Sequence, residues 1–148
     1  MMKRKVTWFV LADGAHARVL TRSRTSSGYD VVAEYASPTA QPLEHPLEAD
    51  HPARAHENAA VDHHTMVLRH DGQRLRKAAF AHEVAAHLNE ANNAHRFDRL
   101  VLFAAPRSLP DYLAALDEAT RAKLAAEVPK DLTRLPVAEL PRHFAAFR

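Results

Sequence analysis

Three groups of residues have the types and spacing to do chemistry. The first comprises Asp13 and Gly14, Pro106 and Arg107, and Asp131 with Thr133, each standing just past the end of an apolar run. An acid, a guanidinium and a hydroxyl meeting at strand ends would bind a small polar ligand or a loop of a partner protein. The same residues have plain structural uses, Asp13-Gly14 as a two-residue hairpin turn and Asp131 and Thr133 as helix caps. The second group is Gly72-Gln73 followed by Arg74, Arg76 and Lys77, a basic turn that either touches RNA phosphates or is simply solvated. The third is rich in histidine. Asp62, His63 and His64, with His51, His56 and His70 nearby, are competent zinc or nickel ligands. No HExxH spacing accompanies them, and adjacent residues on a strand point to opposite faces, so this region reads as a solvated loop and no metal is assigned.

Several chemistries are excluded. The chain has no cysteine, hence no disulfide framework, thiolate metal site or cysteine nucleophile. Its three glycines are isolated, which rules out a glycine-rich phosphate loop, and no serine stands in a nucleophile elbow. A two-metal nuclease of the ribonuclease H type needs several carboxylates converging on the sheet; LVLFAA at 100–105 carries none, and Asp13 sits at a strand end. No catalytic residue and no cofactor is assigned.

A formal charge of +2 argues against a dedicated nucleic-acid clamp, although Lys3, Arg4, Lys5, Arg18, Arg22 and Arg24 make the first hairpin basic. Eleven histidines would render the chain much more cationic near pH 6. The start mimics a secretory signal, yet Asp13-Gly14 interrupts an apolar part of only seven residues. No stretch approaches the ~18 apolar residues of a membrane span. The reading is cytoplasmic, with no membrane span.

These residues need elements to hold them. Leu100 to Ala105, entered through Asp98-Arg99 and closed by Pro106, is an unbroken apolar run, the habit of a strand covered on both faces, and predicts the central strand of an α/β sheet. Val6 to Ala12 predicts another, turning at Asp13-Gly14 into a strand from Ala15 to Thr21 in which Ala15, Ala17, Val19 and Thr21 alternate with His16, Arg18 and Leu20, one face being the more exposed. Tyr29 to Tyr35 predicts a third, with Tyr29, Val31, Ala33 and Tyr35 on one side. Residues 37–71 hold four of nine prolines and six of eleven histidines and read as a long irregular excursion with Met66-Val67-Leu68 as its one apolar anchor. A helix follows over 74–94, with Phe80, Ala81, Val84, Leu88 and Ala91 on one face and a stop at Asn92-Asn93. Ser108 predicts a cap for a helix burying Leu109, Leu113 and Leu116. A short helix near 118–123 leads to a strand with Leu124, Ala126 and Val128 pointing one way. Pro136 and Pro141 each open a short helix, with Phe144 and Phe147 docking. The result is one domain, 1–148: a five-stranded mixed sheet of ribonuclease H-like order 3-2-1-4-5 with helices on both faces. In such a sheet the ligand crevice lies between the first and fourth strands.

Three stretches carry a resemblance: WFVLADGAHARVL at 8–20, FDRLVLFAAPRSLPDYLAAL at 97–116 and KDLTRLPVAELPRHF at 130–144. They resemble the bacterial host attachment family, "protein required for attachment to host cells". The resemblance implies a fold similar to the central domain of archaeal and eukaryotic class-one peptide-chain release factors, where a Gly-Gly-Gln loop before the long helix promotes peptidyl-tRNA hydrolysis. Here Gly72 and Gln73 match while Asp71 replaces the first glycine, placing an anionic side chain where backbone freedom beside RNA is needed. The structural alternative is a turn with Gly72 at positive φ. The leading reading is therefore a non-catalytic binding or interaction module that contributes indirectly to attachment, its partner an unknown protein or small polar ligand. The alternative is a ribosome- or tRNA-associated, release-factor-like domain using Gly72 and Gln73, with RNA contacts at Arg74, Arg76 and Lys77. A small-molecule hydrolase using Asp13, Arg107 and Asp131 comes third.

Overall fold

The computed structural model describes residues 4–37 and 62–147, of which 62–70 are described by their backbone alone. Five strands form one sheet: β1 (Thr7–Ala12), β2 (His16–Arg22), β3 (Tyr29–Ala36), β4 (Arg99–Ala104) and β5 (Leu124–Val128). Their order is β3-β2-β1-β4-β5. β1 pairs antiparallel with β2, Val10 opposite Val19, and parallel with β4, Val10 opposite Leu102. β1, not β4, is thus the middle strand. Both are buried at five of six positions, because internal strands sandwiched between layers expose neither face.

Alternate residues of β1 face different layers. Trp8, Val10 and Ala12, with Leu100 and Leu102 of β4, pack against helix α1 (Asp62–Asn93) through Phe80, Val84, Ala85 and Leu88, and against α2 (Leu109–Ala115) through Tyr112. Phe9 and Leu11, with Leu20, Val101 and Phe103, pack against Leu132, Leu140 and Phe144 on the other face. That second layer is the C-terminal segment: a 3-10 turn at Val137–Glu139, α4 (Pro141–Phe144) and a second 3-10 turn at Ala145–Phe147. The Phe9 and Phe144 rings stack at 4.2 Å between centroids. This layer, from sequence more than a hundred residues away, covers Leu20 completely, while His16 and Arg18 on the same side of β2 stay half-buried and Ala17 and Val19 opposite are buried.

Local register departs from simple alternation at both sheet edges. The ladder between β2 and β3 shifts between Val19 and Leu20, pairing Val19 with Ala33 and Leu20 with Val31. Val32 is the extra residue, and Val32, Ala33 and Tyr35 face the α1 side while Tyr29 faces the other. The expected single face of Tyr29, Val31, Ala33 and Tyr35 is therefore split by a bulge, which puts two successive side chains on one side. In β5 a similar shift sets Leu124 against the α1 layer and Ala126 and Val128 against the C-terminal layer, again overturning a single face.

α1 is 32 residues long, about 48 Å at 1.5 Å per residue. It begins at Asp62 rather than Arg74, so the last ten residues of the expected excursion, with Met66-Val67-Leu68, are helical; residues 38–61 lie outside the described residues. Its end is a Schellman cap: the Arg96 N–H donates to Ala91 O at 3.0 Å and the His95 N–H to Asn92 O at 2.9 Å, with His95 at φ 57°. α3 (Glu118–Arg121) is capped by Asp117, whose side chain accepts from the Thr120 N–H. Ser108 does not cap α2 in this way. Its own φ of −92° and ψ of −23° are already helical, so its hydroxyl makes no cap bond; of the expected buried side Leu116 is buried and Leu109 and Leu113 half-buried, and Tyr112 is buried as well.

Candidate functional site: a basic crevice at the ends of the first and fourth strands

β1 and β4 run side by side to the same end of the sheet, where the Ala105 N–H donates to Ala12 O at 3.0 Å. The chain leaves β1 by a tight turn toward β2 and leaves β4 toward α2. Between the two departures opens a crevice of ≈ 420 Å³. Residues from four segments line it: Asp13, Gly14 and His16 after β1, Gln73 and Lys77 from α1, Arg107 and Ser108 after β4, and Arg134 from the C-terminal segment.

The turn is organised by Asp13. Its carboxylate Oδ1 accepts from the N–H groups of Ala15 at 2.8 Å and His16 at 2.6 Å, while its own N–H donates to His16 O at 2.9 Å. The central pair is thus Gly14-Ala15 rather than Asp13-Gly14, and no described glycine has positive φ. His16 Nδ1 lies 3.6 Å from Oδ1, and the Thr133 hydroxyl, 3.3 Å from Oδ2, bridges to the C-terminal segment. The Tyr112 hydroxyl donates to Asp13 O at 2.7 Å. Burial, with Asp13 and then Asp111 adding repulsion, raises the Tyr112 phenol well above its ordinary value, so it remains a donor.

Gly14 is needed for a different reason. A Cβ there would stand 2.7 Å from Cδ and 2.8 Å from Cγ of Lys77, so only a glycine lets the lysine stem lie across the turn. Gln73 and Lys77, four residues apart, share the α1 face that looks onto the crevice. Arg74 and Arg76 are exposed and do not line it, so the expected RNA-contact trio is divided. Gly72 is inside the helix, without the expected positive φ; the turn before the helix, and with it a Gly-Gln loop, does not form.

The C-terminal segment is pinned from β2. The Arg18 guanidinium donates through Nη1 to Leu135 O at 2.8 Å and Thr133 O at 3.4 Å. Asp131 accepts from the Thr133 N–H at 3.0 Å and from its hydroxyl, holding the bend that delivers Arg134. Asp131 itself is exposed and off the crevice wall. A neighbouring hollow of ≈ 580 Å³ shares His16 and Arg134, but its other cation, Arg18, is spent on those carbonyls and Glu34 faces it.

The expected strand-end residues Asp13, Gly14 and Arg107 therefore meet at one crevice, with Thr133 bonded to its rim. His16, Ser108 and Arg134 were not expected there, and nothing in their local sequence marks them. Gln73 and Lys77 belonged to a different expectation. The histidine cluster between residues 45 and 70, with Asp62, lies outside the described side chains. Among the described residues no helix is long and apolar enough to cross a membrane.

The family described as "Protein required for attachment to host cells" matches residues 8–144. The chain belongs to that family. No curated protein matches it. The matched span runs from β1 to α4 and so includes every crevice residue named above, and membership in the host attachment family suggests a role in attachment to host cells.

Proposed function

We propose that this host attachment family chain is a non-catalytic binding module whose ligand site is the crevice between β1 and β4, and that ligand or partner binding there underlies an indirect contribution to attachment. The observation that carries this reading is the convergence of Lys77, Arg107 and Arg134 from three separate segments on one concavity. The chemistry of the wall favours holding over transforming. Oδ1 of the Asp13 carboxylate is occupied by two backbone N–H groups of its own turn, which commits that oxygen to structure. The nearest phenol, Tyr112, is buried and donates to a carbonyl. What remains facing the opening are cations and hydrogen-bond donors.

The test is attachment itself. Cells that encode the protein, carrying Arg107→Glu/Arg134→Glu at normal abundance, should attach to host cells no better than cells lacking it. Attachment at the level of unaltered cells would remove the crevice from the account. The release-factor-like alternative gains nothing from Gly72-Gln73, which is helical; co-sedimentation with ribosomes, lost in Arg74→Glu/Lys77→Glu, is the result that would revive it.

A further inference from the structure

We infer that the crevice binds a small molecule bearing a phosphate group, held by Lys77, Arg107 and Arg134; this rests on the proposal that the crevice is the ligand site and gives that site a ligand class.

The charge balance comes first. Three cations line the crevice against a single carboxylate, Asp13, so the wall carries a net charge of +2 with His16 neutral. None of the three cations is in an ion pair among the described residues. All three are solvent-exposed, and a group of cations without counter-charge attracts anions. An occupant carrying two negative charges matches the net charge of the wall. A phosphate monoester near neutral pH is such a group, close to a dianion with three acceptor oxygens, whereas one carboxylate supplies a single charge.

Geometry points the same way. Two guanidiniums match phosphate oxygens in bidentate fashion and the lysine adds a point charge. The backbone N–H groups of Gly14 and Arg107 have no protein acceptor among the described residues. The Ser108 hydroxyl, which makes no cap bond, and the Gln73 amide offer donors for the rest of the molecule. At ≈ 420 Å³ the space suits a compound of nucleotide or sugar-phosphate size rather than inorganic phosphate alone.

Lys77 is placed for this role by Gly14. With a methyl group at that position the lysine stem must lift away from the turn, so Gly14→Ala reports on lysine placement without removing any charge.

The experiment is calorimetric titration of the full chain at constant ionic strength with AMP, ribose 5-phosphate, inorganic phosphate, malonate, ribose and a short single-stranded RNA. AMP and ribose 5-phosphate separate a nucleotide from a sugar-phosphate source. The expected result is binding of at least one of them, weakened at least about tenfold in Arg107→Gln/Arg134→Gln as charge-assisted bonds are lost, weakened measurably in Gly14→Ala, and changed less than about twofold in Arg74→Gln/Arg76→Gln because exposed charges outside the crevice are screened. Malonate bound in place of every phosphate compound, and lost in the crevice double variant, would overturn the phosphate class and keep the crevice as the site. Phosphate compounds bound equally by the crevice variants, or no binding by any probe, would overturn the phosphate inference, while the crevice as the ligand site stands or falls by the attachment test. RNA bound more tightly than AMP and lost in Arg74→Gln/Arg76→Gln would overturn the inference in favour of an RNA surface on α1.

Discussion

The side chain of Lys77 lies across Gly14 so closely that a Cβ on the glycine would stand 2.7 Å from the lysine Cδ. Residues 63 positions apart are thus in register at the mouth of the crevice, one from the β1–β2 turn and one from α1. Because Gly14 has an ordinary φ, alanine there brings no backbone strain, and its whole effect is the collision with Lys77. The single variants Gly14→Ala and Lys77→Ala should therefore be non-additive: the lysine truncation removes what the alanine strikes. A double-mutant cycle by urea denaturation should give a coupling of about 0.5–1 kcal/mol in favour of the double variant; simple additivity would mean that the two residues do not touch in solution.

Gly72 presents the opposite case. It is inside α1, has no positive φ, and a Cβ on it meets nothing nearer than the flexible tip of Arg76 at 3.3 Å. Gly72→Ala should stabilise the protein by about 0.5–1 kcal/mol, the usual gain when a helical glycine acquires a methyl group. A loss of stability in thermal denaturation would show that residue 72 needs glycine after all, as a loop before the helix would.

Tyr112 ties α2 to the β1–β2 turn through its bond to Asp13 O. Tyr112→Phe should cost about 1–3 kcal/mol, since it leaves a partly buried carbonyl without its donor. Burial raises the phenol above its ordinary value of 10.0, so the folded state keeps a proton that the unfolded chain gives up. Stability is therefore full below about pH 10 and declines as pH rises further. Denaturation midpoints measured across alkaline pH should fall more steeply for the unaltered protein than for Tyr112→Phe; parallel curves would assign the loss to other groups.

Arg18 acts on the crevice at a distance, by holding the carbonyls of Thr133 and Leu135. Arg18→Ala should cost about 1.5–3 kcal/mol, the range for hydrogen bonds to a charged donor. Its distinguishing signature is local: amide exchange should accelerate at residues 133–135 well beyond the change at β1 and β4. Uniform acceleration across the sheet would indicate general destabilisation and no specific anchoring of Arg134.

The sheet was legible because its causes are local. Unbroken apolar runs at 8–12 and 100–105, short breaks at 13–14 and 106–107, and helical spacing from Phe80 to Ala91 each follow from burial of one segment against a layer; with the first and fourth strands placed side by side they give the order 3-2-1-4-5 that the sheet has. Where the structure departs from that pattern, local periodicity did not carry the cause. The C-terminal layer covers Leu20, bulges rotate Val32 and Ala126, and the start of α1 at Asp62 overrides a stretch rich in histidine with no apolar period of its own.

The same division holds at the crevice. By itself the sequence determined that Asp13, Gly14 and Arg107 stand at strand ends, since apolar runs and their breaks are local; that β1 and β4 lie side by side was an inference from the order of elements, which the sheet bears out. Only the tertiary structure decided that Lys77 crosses Gly14, that Asp13 serves as the acceptor of its own turn, and that Arg18 draws Arg134 to the rim. Those contacts depend on packing distances and side-chain directions between segments far apart in the chain, and such distances exist only once the two layers have closed on the sheet.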